Sequence, residues 1–145
     1  KDLKIHFERV ENKIKKYDSK FKGFKLSKES IIKLNESSSE LSSKIILANK
    51  EEKLSRKKIK SINKQMISFE KSFIDYKGMY YGSWYRSLYA SSDPFSGYGA
   101  WILPGIEYEI ALKSSDKLNE WDQRYSNSIN DLNQKMKKLI SFFEN

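Results

Sequence analysis

Apolar residues recur at alternating spacings of four and three through most of this 145-residue chain. That spacing puts apolar side chains on one stripe of an α-helix, as in helices that pack along a seam. The first stripe consists of Leu3, Phe7, Val10, Ile14 and Tyr17. It predicts a first helix over about residues 2–21, which Gly23 ends.

A second seam runs in one register from Ile31 to Tyr80, and twelve of its fifteen positions are apolar or aromatic. One helix of that length would extend about 75 Å, so we expect it to break. The serine-rich stretch 36–43 favours a break there, because serine is a poor helix former. The polar positions around 49–55 favour another. The sequence thus predicts helices over 28–50 and 53–77, with Ser27 capping the former.

The last helix is predicted over residues 105–143. Its apolar stripe consists of Leu118, Trp121, Tyr125, Ile129, Leu132, Met136, Leu139 and Phe143. Apolar residues make up 38% of the chain and charged residues 32%. Because so few side chains are apolar, the hydrophobic core must be narrow. The expected architecture is therefore all-α: a single domain built as an elongated four-helix bundle with coiled-coil-like seams.

An aromatic crossover, residues 78–104, joins the third and fourth predicted helices. The surrounding stretch 76–108 contains ten of the twenty aromatic residues, five of the six glycines and both prolines. We expect at least half of these ten rings in the core, with Tyr80, Trp84 and Trp101 foremost among them. Four residues beside turns or a charge are expected to be exposed: Tyr85, Arg86, Phe95 and Tyr98. Tyrosine, tryptophan and arginine are enriched at interface hot spots, so these four form the predicted protein-binding site.

Catalysis is not predicted. The chain has no cysteine, so it has no thiolate metal site. Its one histidine, His6, has no evident partners for a serine–histidine–aspartate triad. Glu107 and Glu109 are two residues apart and would point about 200° apart on a helix, so they cannot act as a carboxylate pair. No glycine-rich phosphate loop is present. We expect no cofactor and no metal.

The net charge of +9 comes mainly from lysine, and its densest run lies at residues 53–64. That run is either a solvated helix face or a patch for a polyanion such as a glycosaminoglycan, with Lys53, Arg56, Lys57, Lys58 and Lys60 as its residues. The aromatic stretch 79–112 carries a net charge of −2 instead. Because rings and lysines are segregated, a nucleic-acid stacking groove is not expected, nor is sequence-specific nucleic-acid recognition.

In its richness in Lys, Asn, Ile and Ser and its lack of cysteine, the chain resembles the mature ectodomain of a helical surface lipoprotein from a spirochaete. It is similar in size and helix count to the fibronectin-binding and complement-binding members. The resemblance implies a lipid tether upstream of Lys1, a cell-surface location and a host plasma, matrix or complement protein as partner. It also makes Arg124, like Arg86, a residue to probe for binding.

The contrasting hypothesis is a structural coiled-coil or assembly segment of a larger intracellular protein, which would dimerise through the 59–80 seam. A lesser alternative is binding to a membrane surface. No apolar run approaches the roughly 20 residues of a membrane span.

Overall fold

The computed structural model describes residues 2–51 and 54–143, with side chains from Ile5 onward. Its helices are α1 (Asp2–Phe21), α2 (Lys25–Lys50), α3 (Arg56–Ile67), α4 (Pro104–Ala111) and α5 (Leu118–Ser141). Between α3 and α4 lie a short 3-10 helix (Glu70–Phe73) and the strands β1 (Ala90–Ser92) and β2 (Ala100–Ile102). The predicted all-α class is confirmed, with this small antiparallel sheet inside the crossover. Across the described ranges, no helix is both long and apolar enough to cross a membrane.

Helices α2 and α5 run parallel and side by side. The buried carboxylate of Asp122 on α5 accepts hydrogen bonds from the amides of Leu26 (2.9 Å) and Ser27 (2.8 Å) at the start of α2. One turn further on, the hydroxyls of Ser30 and Ser126 are 2.9 Å apart. The predicted N-cap Ser27 is therefore wrong: Phe24 occupies the N-cap position without a side-chain bond. Asp122, distant in sequence, satisfies the free amides instead.

Helix α2 is continuous through the serine-rich stretch, so the break expected at 36–43 is wrong. The Ser42 hydroxyl donates to the carbonyl of Ser38 (2.8 Å), and Ser43 donates to Ser39 (3.0 Å). These bonds satisfy the hydroxyls along the helix itself, so the serines do not interrupt it. The break expected at 49–55 is confirmed, because α2 ends at Lys50 and α3 begins at Arg56. Ser55 caps α3 by accepting from the Lys58 amide.

The last two predicted helices extend too far. The third ends at Ile67 and not at residue 77, because the chain tightens into the 3-10 helix and Ile74 then pairs with Ser87 as an extended residue. The fourth is divided by a turn between α4 and α5, where Lys113 has a left-handed φ of 54°. The predicted start at residue 53 lies outside the described residues.

Helices α1 and α3 pack antiparallel to the central pair. Lys28 on α2 contacts Asp18 on α1 at 2.7 Å, and Asn35 on α2 bonds Glu11 on α1. The start of α3 lies beside the end of α5, where the Lys58 ammonium is 5.9 Å from the Phe143 ring centroid. Within the seam expected to mediate dimerisation, Ile62, Phe69 and Phe73 are buried in the chain's own core.

Candidate functional site: an aromatic face on the crossover

Arg124 holds the crossover onto α5. Its Nε donates to Asp75 Oδ2 (2.7 Å) and its Nη2 to the Gly78 carbonyl (2.5 Å), while the guanidinium stacks 4.2 Å from the Trp121 ring centroid. The residue is only 8% exposed. The expectation that Arg124 would be an exposed contact for a partner is therefore corrected. The N–H donors of its guanidinium form hydrogen bonds within the molecule, and these bonds fix residues 75–78 against α5.

Backbone hydrogen bonds join residues 73–75 to residues 86–88, on the two sides of a series of turns. The Asp75 amide donates to the Arg86 carbonyl (2.8 Å), and the Leu88 amide donates to the Phe73 carbonyl (2.8 Å). The connecting turn needs glycine at position 78, where φ is 69° and a Cβ would lie 2.4 Å from the Ser83 carbonyl oxygen. Trp84 follows this turn directly and is exposed.

Six rings then form one connected group, here called the ring array. Tyr81 lies at its centre, with ring centroids 5.2 Å from Tyr85 and 5.0 Å from Tyr108. Phe95 stacks on Tyr108 at 5.9 Å with 9° between the ring planes. The members of the array are Trp84, Tyr85, Tyr81, Tyr108, Phe95 and Trp101. The Tyr81 hydroxyl bonds Ser91 (2.5 Å), and burial raises the pKa of Tyr81.

The hairpin of β1 and β2 ends in a tip, residues 93–99, that is held by Asp93. Its carboxylate accepts from the Phe95 amide (2.8 Å) and the Ser96 hydroxyl (2.7 Å), and these bonds hold the pKa of Asp93 below its ordinary value. The Asp93 backbone pairs with Gly97 and Gly99 at 2.8 Å each. Tyr98 projects from this tip and is 98% exposed. The Tyr98 ring is thus fully solvated, while the backbone of the tip that carries it is held by hydrogen bonds to Asp93.

The structure brings some predicted site residues together and separates others. Tyr85 is half-buried against the core and not exposed as expected, because its ring packs on Tyr81. Phe95 is exposed and joins the ring array through Tyr108. The sequence did not single out Tyr81 or Tyr108. Arg86 is exposed but stands apart, with its guanidinium 5.4 Å from the Tyr76 ring centroid. The pairing of Phe95 with Tyr108 crosses from the hairpin to α4, so no local sequence pattern could have indicated it.

Two rings expected in the core are exposed. Trp84 is 73% exposed and touches Tyr85 along one side, at 5.6 Å between ring centroids. Tyr80 packs edge-on against Trp121 (5.4 Å), but its hydroxyl reaches outward to bond Glu120. Partial burial and this carboxylate raise the pKa of Tyr80 to about 12. Trp101, the third ring named for the core, is half-buried in the ring array.

We use the name aromatic face for the three exposed rings of this region, Trp84, Phe95 and Tyr98, of which the first two belong to the ring array. Phe95 is 62% exposed even though it stacks on Tyr108. The rings of this face come from two parts of the crossover: Trp84 from the turn after Gly78, and Phe95 and Tyr98 from the hairpin tip. Such an arrangement can take up an apolar or aromatic surface of a partner, since its rings are already positioned.

Of the groups considered for chemistry, Glu107 and His6 make contacts within the molecule. The Glu107 carboxylate accepts from the Tyr17 hydroxyl (2.8 Å) and pairs with Lys13, whereas Glu109 is buried on another side of α4. His6 Nδ1 lies 2.8 Å from the Tyr89 hydroxyl. Within residues 2–51 and 54–143, no cluster of side chains that could hold a metal ion was found.

The predicted basic run lies on the other end of the molecule from the ring array. Arg56, Lys57 and Lys60 are exposed on α3, and Lys58 is half-buried over Phe143. Lys53 falls outside the described residues. The basic run and the aromatic face are therefore separate surfaces.

Comparison with known proteins gives one finding. The family model of the transferrin receptor-like dimerisation domain matches residues 5–137. No curated protein and no solved structure matches the chain. The match runs from the first turns of α1 to the last turns of α5 and includes the whole crossover. The chain belongs to the transferrin receptor-like dimerisation domain family.

Proposed function

We propose that this chain is a non-enzymatic protein-binding module that dimerises through its aromatic face. The family's name supports a protein partner, and a second copy of the chain is the simplest one. The four longer helices, α1, α2, α3 and α5, would serve as an elongated four-helix scaffold. The crossover attached to that scaffold would supply the contact.

The observation that carries this proposal is the exposure of Trp84, Phe95 and Tyr98 on a frame that is already ordered. Covering these three rings would remove on the order of 400 Å² of aromatic surface from water, worth about 10 kcal/mol before the costs of association. Because the hairpin tip is held by Asp93, little ordering entropy remains to be lost on binding. Large rings on a rigid support are typical of interface hot spots.

Charge also favours contact at this face. The whole chain carries +9, so two copies that met through their lysine-rich helices would repel each other. Residues 79–112 hold one basic and three acidic residues, Arg86 against Asp93, Glu107 and Glu109. Contact through this weakly acidic region keeps the basic helices of the two copies apart.

Sedimentation velocity over a range of concentrations tests this proposal. We expect the wild-type chain to dimerise reversibly, and the double variant Trp84→Ser, Tyr98→Ser to dimerise at least about tenfold more weakly, because two solvent-exposed anchors are lost. Thermal unfolding should change little, since both side chains are mostly solvated. Ile67→Ser is the matched control: it removes an exposed apolar side chain from α3, on another surface. Equal dimerisation of wild type and double variant, with folding intact, would refute the proposed face.

The spirochaetal resemblance leads to a related proposal for the partner. If that partner is a host plasma, matrix or complement protein, it would contact Phe95 and Tyr98 of the aromatic face together with Tyr85 and, beside the face, Arg86. The double variant Tyr85→Ala, Arg86→Ala would then weaken binding without a loss of thermal stability comparable to that of a core substitution. A collapse of stability would mean that Tyr85 acts mainly within the ring array.

A further inference from the structure

A second surface lies where three helix ends meet. Helices α2 and α5 are parallel, because Leu26 contacts Asp122 and, one turn further along both helices, Ser30 contacts Ser126. Their carboxyl ends therefore lie at the same end of the bundle. The start of α3 joins them there, because Lys57 and Lys58 line one groove with Ser141 and Phe142 at the end of α5.

The charge of this region, here called the basic end, is strongly positive. Its exposed basic residues are Lys50, Arg56, Lys57, Lys60, Lys137 and Lys138. Helix α3 contains five basic residues and no acidic one. Ion pairs of lysine and arginine in other parts of the molecule include those of Lys13, Lys28 and Arg124. Glu51 is the acidic residue described at this end.

Exposed aliphatic side chains lie among these cations. Ile46 and Leu47 are adjacent in the last turns of α2 and are 57% and 54% exposed. Ile59 on α3 is also exposed, and Ile62 is the one buried residue of that helix. The helix therefore leaves much of its apolar side uncovered while it presents a row of lysines. A partner that fits must take up both aliphatic groups and positive charge.

We infer that the basic end docks on an anionic membrane surface. Lysine ammonium groups would lie among lipid phosphates and carboxylates, and Ile46, Leu47 and Ile59 would enter the region between headgroups and acyl chains. A glycosaminoglycan or nucleic acid would use the charge but would leave these aliphatic side chains in water. The inference goes beyond the proposed dimerisation and uses a different surface, so either can hold without the other.

Vesicle co-sedimentation tests the inference, with phosphatidylcholine vesicles that contain or lack phosphatidylserine. We expect the wild-type chain to bind only vesicles with phosphatidylserine and to dissociate as salt is raised. Charge reversal in Lys57→Glu, Lys60→Glu should weaken binding at least about tenfold. The matched control Lys16→Glu, Lys20→Glu makes the same charge change on exposed residues of α1, at its end away from the basic end, and should have a much smaller effect.

The double variant Ile46→Ser, Leu47→Ser separates lipid from other polyanions. It retains the full charge, so it should lose affinity for phosphatidylserine vesicles and keep its retention on heparin. Circular dichroism melting checks that each variant folds. The inference is overturned if neutral and anionic vesicles bind alike or if the two charge reversals weaken binding equally. It is also overturned if the serine variant binds vesicles as the wild type does, because the surface would then respond to charge alone.

Discussion

At the scale of single residues, contacts between α5 and distant parts of the chain decide how the crossover sits. The Arg124 guanidinium on α5 donates hydrogen bonds to the Asp75 carboxylate and the Gly78 carbonyl, and the Trp121 ring packs against Gly105 at the start of α4. The Tyr125 hydroxyl accepts from the Gly105 amide at 3.1 Å, and burial raises the pKa of Tyr125. Three neighbouring positions of one helix thus fix the frame that carries the aromatic face.

Gly105→Ala is predicted to destabilise the protein by about 1–3 kcal/mol, because overpacking forces neighbours to shift. A Cβ at position 105 would lie 2.4 Å from the Trp121 ring. Urea unfolding followed by tryptophan fluorescence measures the change. Gly99→Ala is the control, since its Cβ would meet Asp93 at an ordinary 3.4 Å. Equal stability of the two variants would show that Trp121 can move aside without cost.

At the scale of elements, the hairpin tip depends on one carboxylate. Hydrogen bonds from the Ser96 hydroxyl and the Phe95 amide lower the pKa of Asp93 from its model-compound value of 3.8. A group whose folded pKa is lowered stabilises the fold above its unfolded pKa, and this contribution disappears as pH falls through the folded value. The tip should therefore be well ordered at neutral pH and loosen in acid.

An NMR titration tests this dependence on pH. We expect the amide signal of Phe95 to shift with an apparent pKa below 3.8, because its acceptor becomes protonated. In Asp93→Asn that titration should disappear and the amides of the tip should exchange faster with solvent. Asp116→Asn, at an exposed position after α4, is the control and should leave the Phe95 titration intact. A Phe95 amide that titrates unchanged in Asp93→Asn would assign the effect to another group.

The helices could be predicted largely because each buries one regular stripe. The bounds of α1 agree with the prediction over 2–21, and α2 ends where the seam turns polar. The continuity of α2 through its serines could not be predicted from propensity, because the bonds from Ser42 and Ser43 to the preceding turn override it. The true cap of α2 could not be predicted either, since Asp122 is about 95 residues away.

The site could be predicted only in outline. Local turn signals were enough to place Phe95 and Tyr98 on the surface, because the tip is made by Asp93 and its immediate neighbours. Trp84 and Arg124 were misplaced, because their burial depends on how the crossover folds back on α5. Composition marks where aromatic residues concentrate, whereas tertiary contacts decide which of them face solvent.

At the scale of the whole molecule, two surfaces lie at different ends of α5. The aromatic face sits beside the first half of that helix, where Arg124 and Trp121 hold the crossover. The basic end lies at its last turns, beside Lys57 and Lys58. This separation lets a protein partner and an anionic surface be engaged at once, because neither contact covers the other.

Hydrogen exchange of the wild-type chain at increasing concentration tests the central proposal most directly, because it locates the contact without substitutions. If the aromatic face mediates dimerisation, amides in residues 83–86 and 93–99 should become protected as the dimer forms, while those of α3 stay unchanged. Protection confined to α2 and α3, or a dimer that leaves the crossover amides as exchangeable as in the monomer, would contradict the proposal.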